Sequence, residues 1–181
     1  TTFTSAVDGK EPAFTGTAVD TEVDFTEGAT MLSCLKAALE AANLSCEVVE
    51  DTGYVSSING LAEKEGGSEA GWMASLNDWF VNESVKDVSV ASGDEVRFMY
   101  TSNGLGADIG GDYNGKDKTV KSVVFSSGML NKVFSWNIHE YNLVLLTGTE
   151  TITVTPTASN KNYQVKIFVG ETEYKRGTAI P

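Results

Sequence analysis

The chain has 181 residues, with 25 Asp and Glu against 13 Lys and Arg and a formal net charge of −12. Residues 1–101 carry 18 acidic and 5 basic side chains and residues 102–181 carry 7 and 8, so the acidity belongs to the first half and the length divides into two small domains. A field of that sign repels phosphate and anionic lipid, which disfavours nucleic acid and polybasic membrane contact for that half and leaves cations, neutral sugars and neutral cofactors open.

No stretch approaches the roughly 18 consecutive apolar residues of a membrane span, and no charged-then-apolar leader opens the chain. With no initiator Met, it reads as a mature or excised polypeptide, in keeping with export. Abundant Thr, Ser, Asn and Gly beside only two Arg fit an extracellular or cell-wall-attached protein.

In chain order, "SAVDGKEPAF" places Asp8-Gly9 between short apolar runs and predicts a turn joining two strands. "AVDTEVDF", residues 18–25, sets Val19, Thr21, Val23 and Phe25 on one side and Asp20, Glu22 and Asp24 on the other, which predicts a strand with a charged outer face. The period then changes. Leu32, Leu35, Leu39 and Ala42 recur at three- and four-residue steps and predict a helix with one narrow apolar face, stopped in a left-handed conformation at Asn43. Cys34 sits nine residues before that stop, roughly 13 Å along the axis at 1.5 Å per residue, too far for an easy bridge to Cys46. Two reduced, buried thiols are expected.

Next come "CEVVE", "GYVSSING" and "GWMASLNDWFV", in which Trp72, Ala74 and Leu76 share a face and Asn77-Asp78 forms a tight turn into Trp79. The charged, Gly-containing segment from Leu61 to Ala70 reads as mobile surface. "ASGDEVRFMYT" gives a turn at Gly93-Asp94 and a strand with Val96, Phe98 and Tyr100 inward. The sum is an α+β domain over 1–108 with a lone helix on a mixed sheet. Residues 109–118 read as a hydrated linker, although Asp108, Asp112, Asn114 and Asp117 carry oxygen ligands; their spacing is not that of a helix-loop-helix calcium site. From 119 to 181 the pattern is strands alone, "VKSVVF", "EYNLVLL", "TITVTP" and "YQVKIFV", which predicts an all-β sandwich.

The chemistry of catalysis is thin. His139 is the only histidine, in a loop entering a strand, and no zinc, phosphate-loop or nucleophile-elbow motif is present. Carboxylates are plentiful, but nothing singles out an acid/base pair, so no enzymatic role, catalytic residue, metal or obligatory cofactor is expected. Trp72, Trp79, Tyr54, Phe80 and Tyr100 combine apolar area with polar tips and can wall a ligand pocket. The other reading makes Trp72 the largest core residue of a small domain, buried on all sides.

"TEGATMLSCLKAALE", "GYVSSINGL", "GWMASLNDWFV" and "VASGDEVRFMYT", in that order over residues 17–110, resemble the bacterial domain-of-unknown-function family related to the C-terminal domain of transcobalamin and intrinsic factor, a soluble-ligand-binding β-grasp fold. The resemblance implies a ligand-facing side at Gly53, Tyr54, Ser57, Gly71, Trp72 and Met73, with a corrinoid such as cobalamin as the named ligand. Gly71 and Met73 stand where the carriers have Tyr and Gln, which weakens the polar reach towards a corrin. A strand of small groups ending in Asn59-Gly60 leaves room for something flat to approach the backbone. "VKSVVFSSGMLNKVFSWNIHEYNLVLLTGTETITVTPTASN" resembles the cadherin-like β-sandwich family of bacterial surface proteins, with Lys132 and Trp136 replacing two usual prolines. The resemblance implies an immunoglobulin/cadherin-like sandwich, shortened by a strand or two, with an unpaired edge near Val165 to Val169. Together these imply a non-catalytic binding module whose partner is a small ligand or a cell-surface protein or glycan, or else purely structural spacer modules.

Overall fold

The computed structural model describes residues 2–3 and 16–181. The chain divides into two compact units, Thr1–Tyr113 and Asn114–Pro181, with the division inside the segment read as linker. It is mostly β, with one α-helix and several small sheets, an arrangement compatible with a β-sandwich.

In the first unit, β1 (Thr2–Phe3) pairs antiparallel with β2 (Gly16–Thr17). The Asp8-Gly9 turn lies outside the described residues. The strand expected over 18–25 does not form: Val19 packs against the core, but Thr21 and Phe25 are exposed and the segment joins no ladder. Alternation supplies two faces; only a neighbouring strand supplies partners for the backbone N–H and C=O groups.

Helix α1 (Met31–Ala41) begins at a capping box in which Ser33 N–H donates to Thr30 Oγ1 and Thr30 N–H to Ser33 Oγ. The N–H groups of Met31 and Leu32 donate to the carbonyls of Val88 and Val85, so the first turn leaves few orphan donors. It ends in a Schellman arrangement: Asn43, at φ 54°, donates to Glu40 O and Leu44 to Leu39 O. The buried face is Met31, Leu32, Leu35 and Leu39; Ala42, expected on it, is the exposed C-cap.

Two three-stranded sheets complete the core. One, in the order β3-β4-β5, contains β3 (Cys46–Val49), β4 (Tyr54–Ile58) and β5 (Leu61–Ala62). The other, β7-β6-β8, contains β6 (Gly71–Leu76), β7 (Trp79–Phe80) and β8 (Val96–Thr101). Asn59-Gly60 and Asn77-Asp78 have positive φ at both positions and close two-residue hairpins whose twist matches the strands. Helix α1 packs in one cluster with Val55, Ile58 and Leu61 of the first sheet and Trp72, Ala74, Phe98 and Tyr100 of the second. The Ser-Ser pair has a local purpose. The β3–β4 register shifts between Glu47 and Val48, which leaves Ser56 as the extra residue, and its hydroxyl donates to Glu47 O at 3.2 Å.

The segment from Leu61 to Ala70 is not simply loose surface. Leu61 and Ala70 are buried, Tyr100 Oη accepts from Gly66 N–H at 2.9 Å and donates to Ala62 O at 3.0 Å, and Trp72 Nε1 donates to Leu61 O at 2.8 Å. The two cysteines are free thiols, each half-buried rather than fully enclosed, and burial pushes the Cys46 thiol above its usual pKa. A kinked 3-10 turn, Gly104–Ile109, closes the unit over β8.

The second unit has a three-stranded antiparallel sheet, β15-β12-β9, built from β9 (Val120–Phe125), β12 (Ile152–Ala158) and β15 (Ala179–Ile180). Pro156 is accommodated in the central strand because β15 pairs only with Ile152 and Thr153, so no ladder donor is needed from residue 156 on that side. Two separate ribbons accompany it: β10 (Met129–Leu130) with β11 (Leu143–Val144), and β13 (Ile167–Val169) with β14 (Thr172–Tyr174). "EYNLVLL" thus contributes two strand residues and "YQVKIFV" three. Strands β14 and β15 have no clear sequence signal. The other edge of β13 takes no ladder partner among the described residues.

Tyr100→Phe removes one acceptor and one donor at once, orphans Gly66 N–H and leaves Ala62 O only its long 3.5 Å bond from Glu65 N–H, so a loss of about 1–3 kcal/mol is expected in chemical denaturation. Hydrogen exchange should rise first between residues 61 and 70.

Candidate functional site

The six residues singled out in the sequence do not converge on one cavity. Gly53, Ser57 and Trp72 are interior. Gly53, at φ 70°, lies where a Cβ would meet Ser84 Oγ at 2.7 Å and Lys86 Cβ at 3.0 Å, so its smallness serves a chain crossing: Ser84 Oγ donates to Thr52 O, and Lys86 Nζ donates to Asp51 O. Ser57 faces inward beside Val55. Trp72 is only 7% exposed, stands edge-on to Tyr100 at 5.2 Å between ring centroids, and has its single donor satisfied by Leu61 O. It is a core residue. Met73 is half-buried on the opposite face of β6, where the 3-10 turn comes so close that a Cβ on Gly106 would lie 2.5 Å from Met73 Sδ.

Tyr54 and Gly71 do meet, and Glu63 joins them. Tyr54 is 42% exposed and its Oη donates to Glu63 Oε2 at 2.7 Å. A Cβ on Gly71 would sit 3.6 Å from Tyr54 Oη and 3.8 Å from Glu63 Cβ, ordinary contact distances, so Gly71 leaves the backbone open beside this pair. Burial, and then the hydrogen bond and negative charge of Glu63, push the Tyr54 phenol up to about 12. At neutral pH the pair therefore presents a neutral phenol and a carboxylate with lone pairs to spare, suited to donors and to flat polar groups. Glu63 has no signal of its own in the sequence. Counting back across the Asn59-Gly60 hairpin finds it, because Glu63 N–H donates to Ser56 O and so lies alongside the start of β4.

In register, Gly71 pairs with Thr101, whose side chain opens a second polar group. Asp108 accepts from Thr101 Oγ1, from Ser102 N–H at 3.0 Å and from Ser102 Oγ at 3.3 Å. Burial raises the Asp108 carboxyl, but these donors together outweigh it and hold the group below the usual carboxylate range. The network closes the 3-10 turn onto β8. Of the oxygen-bearing residues considered for calcium, Asp108 and Asp112 fall in the first unit and Asn114 and Asp117 in the second, where Thr119 donates twice to Asp117. Among the described residues, no three His, Cys, Asp or Glu gather as a metal site. His139 is exposed. An open depression at the end of α1, lined by Lys36, Leu39, Glu40, Asn43, Leu44, Ser45 and Cys46, includes none of the six predicted residues. Among the described residues no helix is long and apolar enough to cross a membrane.

Residues 28–102 match the family described as "Domain of unknown function (DUF4430)". That span runs from just before α1 to just past β8 and takes in the whole helix-and-two-sheet core. No curated protein and no solved structure gives a significant match to the chain.

Absorbance titration at 295 nm should show Tyr54 ionising near pH 12, and Glu63→Gln should lower that value without bringing it fully back to about 10, because burial contributes as well. The folded-state pKa is raised, so the stability linked to Tyr54 is fully present below about pH 10 and is lost as pH rises through about 12. Gly53→Ala should cost roughly 1–3 kcal/mol in thermal or chemical unfolding, since a left-handed φ and a contact with Ser84 both oppose the added methyl.

Proposed function

We propose that the chain is a non-catalytic binding module of a secreted or cell-surface bacterial protein. In this reading a β-grasp-like first unit meets a small ligand or a surface partner at Tyr54, Glu63 and Gly71, and an immunoglobulin/cadherin-like second unit serves as spacer. The single observation that carries it is an exposed phenol, already paired with a half-buried carboxylate, standing beside backbone left bare by a glycine. A helix laid on small sheets supports the β-grasp reading, and the acidic, Thr- and Ser-rich composition supports an extracellular setting.

The corrinoid is the ligand this reading names, and it would lie across the outer surface rather than against Trp72, whose ring is enclosed. Such an open surface covers only part of a large ligand, so affinity is expected to be weak, roughly millimolar. The burial of Trp72 with its donor satisfied favours a second reading, in which both units are structural spacers and no small ligand binds.

Titration with cobalamin and cobinamide, followed by absorbance and calorimetry, separates the two. The binding reading expects a saturable signal that Tyr54→Ala and Glu63→Ala each weaken at least threefold while the unfolding temperature changes little. Silence up to millimolar ligand retires the corrinoid. A panel of glycans and surface proteins that also fails to distinguish wild type from Tyr54→Ala leaves the spacer reading.

A further inference from the structure

The second unit shows an imbalance unlike anything in the first. In Asn114–Pro181, Pro156 and Ile180 are the only apolar side chains that are fully buried, whereas Met129 is 78% exposed, Val133 89%, Trp136 64%, Val144 65% and Leu146 72%. These five are not scattered. Met129 and Val144 are directly opposed across the β10–β11 ribbon, Leu146 follows two residues after Val144, and Val133 and Trp136 lie in the 131–142 segment that joins the two strands.

That connecting segment is well braced. Asn131 N–H donates to Asn142 O at 2.9 Å, and Asn131 Oδ1 accepts from Asn142 N–H at 3.0 Å, extending the ribbon. Tyr141 Oη accepts from Ser135 N–H at 2.7 Å and donates to Ser135 O at 3.0 Å, while its ring stacks on Phe134 at 5.6 Å and carries Lys132 Nζ at 5.3 Å. The segment folds onto its own aromatic pair and leaves Val133 and Trp136 outside, a preorganised presentation that lowers the ordering cost of contact.

We infer that the β10–β11 ribbon and its connecting segment form a homodimer interface, covered by the same surface of a second copy of this chain. Three observations select that occupant. The five residues are 64–89% exposed, so they offer a largely uncovered apolar contribution to the roughly 800 Å² that each partner brings to a standard interface. Residues 126–149 contain one Lys and one Glu, so two copies of this surface meet without the repulsion that the acidic first half would impose, and the stretch lacks the basic cluster that an anionic membrane would select. The ribbon has only two strands, which in water is marginal, and it carries open edges that a two-fold-related ribbon can extend. The β13–β14 ribbon, by contrast, bears the Lys166–Glu173 ion pair and Glu171, charges that discourage edge pairing. The inference does not depend on any ligand at Tyr54.

Sedimentation velocity and light scattering on the full chain at tens of micromolar should give twice the 19.3 kDa chain mass. Met129→Lys with Val144→Lys should return the single-chain mass with an unchanged circular dichroism spectrum, since both side chains are exposed. Val124→Lys, equally exposed but on β9, should remain dimeric. If the ribbon variant fails to fold, Val133→Ser with Trp136→Ser replaces it, with the same expectation. A wild-type chain that stays monomeric at several hundred micromolar overturns the inference. So does a dimer that survives the ribbon and tip variants, a dimer lost to Val124→Lys, or a monomer that instead sediments with neutral or anionic phospholipid vesicles.

Discussion

The cross-strand contact between Trp72 and Tyr100 is the constraint on which the first unit rests. The two rings are register partners on β6 and β8, meet edge-on, and are both enclosed, so their large apolar areas fill the space under α1. Each also has a polar tip that burial obliges to find a partner. Trp72 reaches Leu61 O; Tyr100 reaches Ala62 O and Gly66 N–H. Leu61 and Ala62 form β5 and Gly66 lies in the segment that follows it, so the pair ties the second sheet to the hairpin end of the first and to that segment.

This arrangement decides what the outside can be. With Trp72 turned inward, the surface where Tyr54, Glu63 and Gly71 meet presents small groups: bare backbone at Gly71, a phenol, a carboxylate. The same glycine that keeps this surface flat lies opposite Thr101, whose hydroxyl helps Asp108 hold the 3-10 turn. Core packing and the exposed polar groups are therefore consequences of one strand's alternation, read on its two faces.

The two units solve burial differently. The first gathers a helix and two sheets around one cluster. The second spreads its strands over one sheet and two ribbons, and much of its apolar area stays outside. Charge follows the same division: the acidic half is the one that encloses its own core, and the nearly neutral half is the one that presents apolar surface. A strongly charged surface resists association, and a neutral one permits it.

What the sequence determined by itself was a set of features governed by near neighbours. Asn59-Gly60 and Asn77-Asp78 specify hairpins through their tolerance of positive φ, and the Leu spacing with Asn43 specifies a helix and its end. Inward residues of β8 were legible for the same reason. Tertiary structure alone decided the rest. Residues 18–25 alternate as a strand should, yet they join no strand ladder among the described residues, and no local pattern can supply a neighbouring strand. Motif order pointed to Gly53, Ser57 and Trp72 as ligand-facing, but Ser57 is buried, and the sites of Gly53 and Trp72 are closed by Ser84 and Tyr100, contacts made from distant parts of the chain. Glu63 acquires its place beside Tyr54 only when the hairpin closes. Periodicity states which side chains can share a face; which face is covered depends on what the remainder of the chain brings against it.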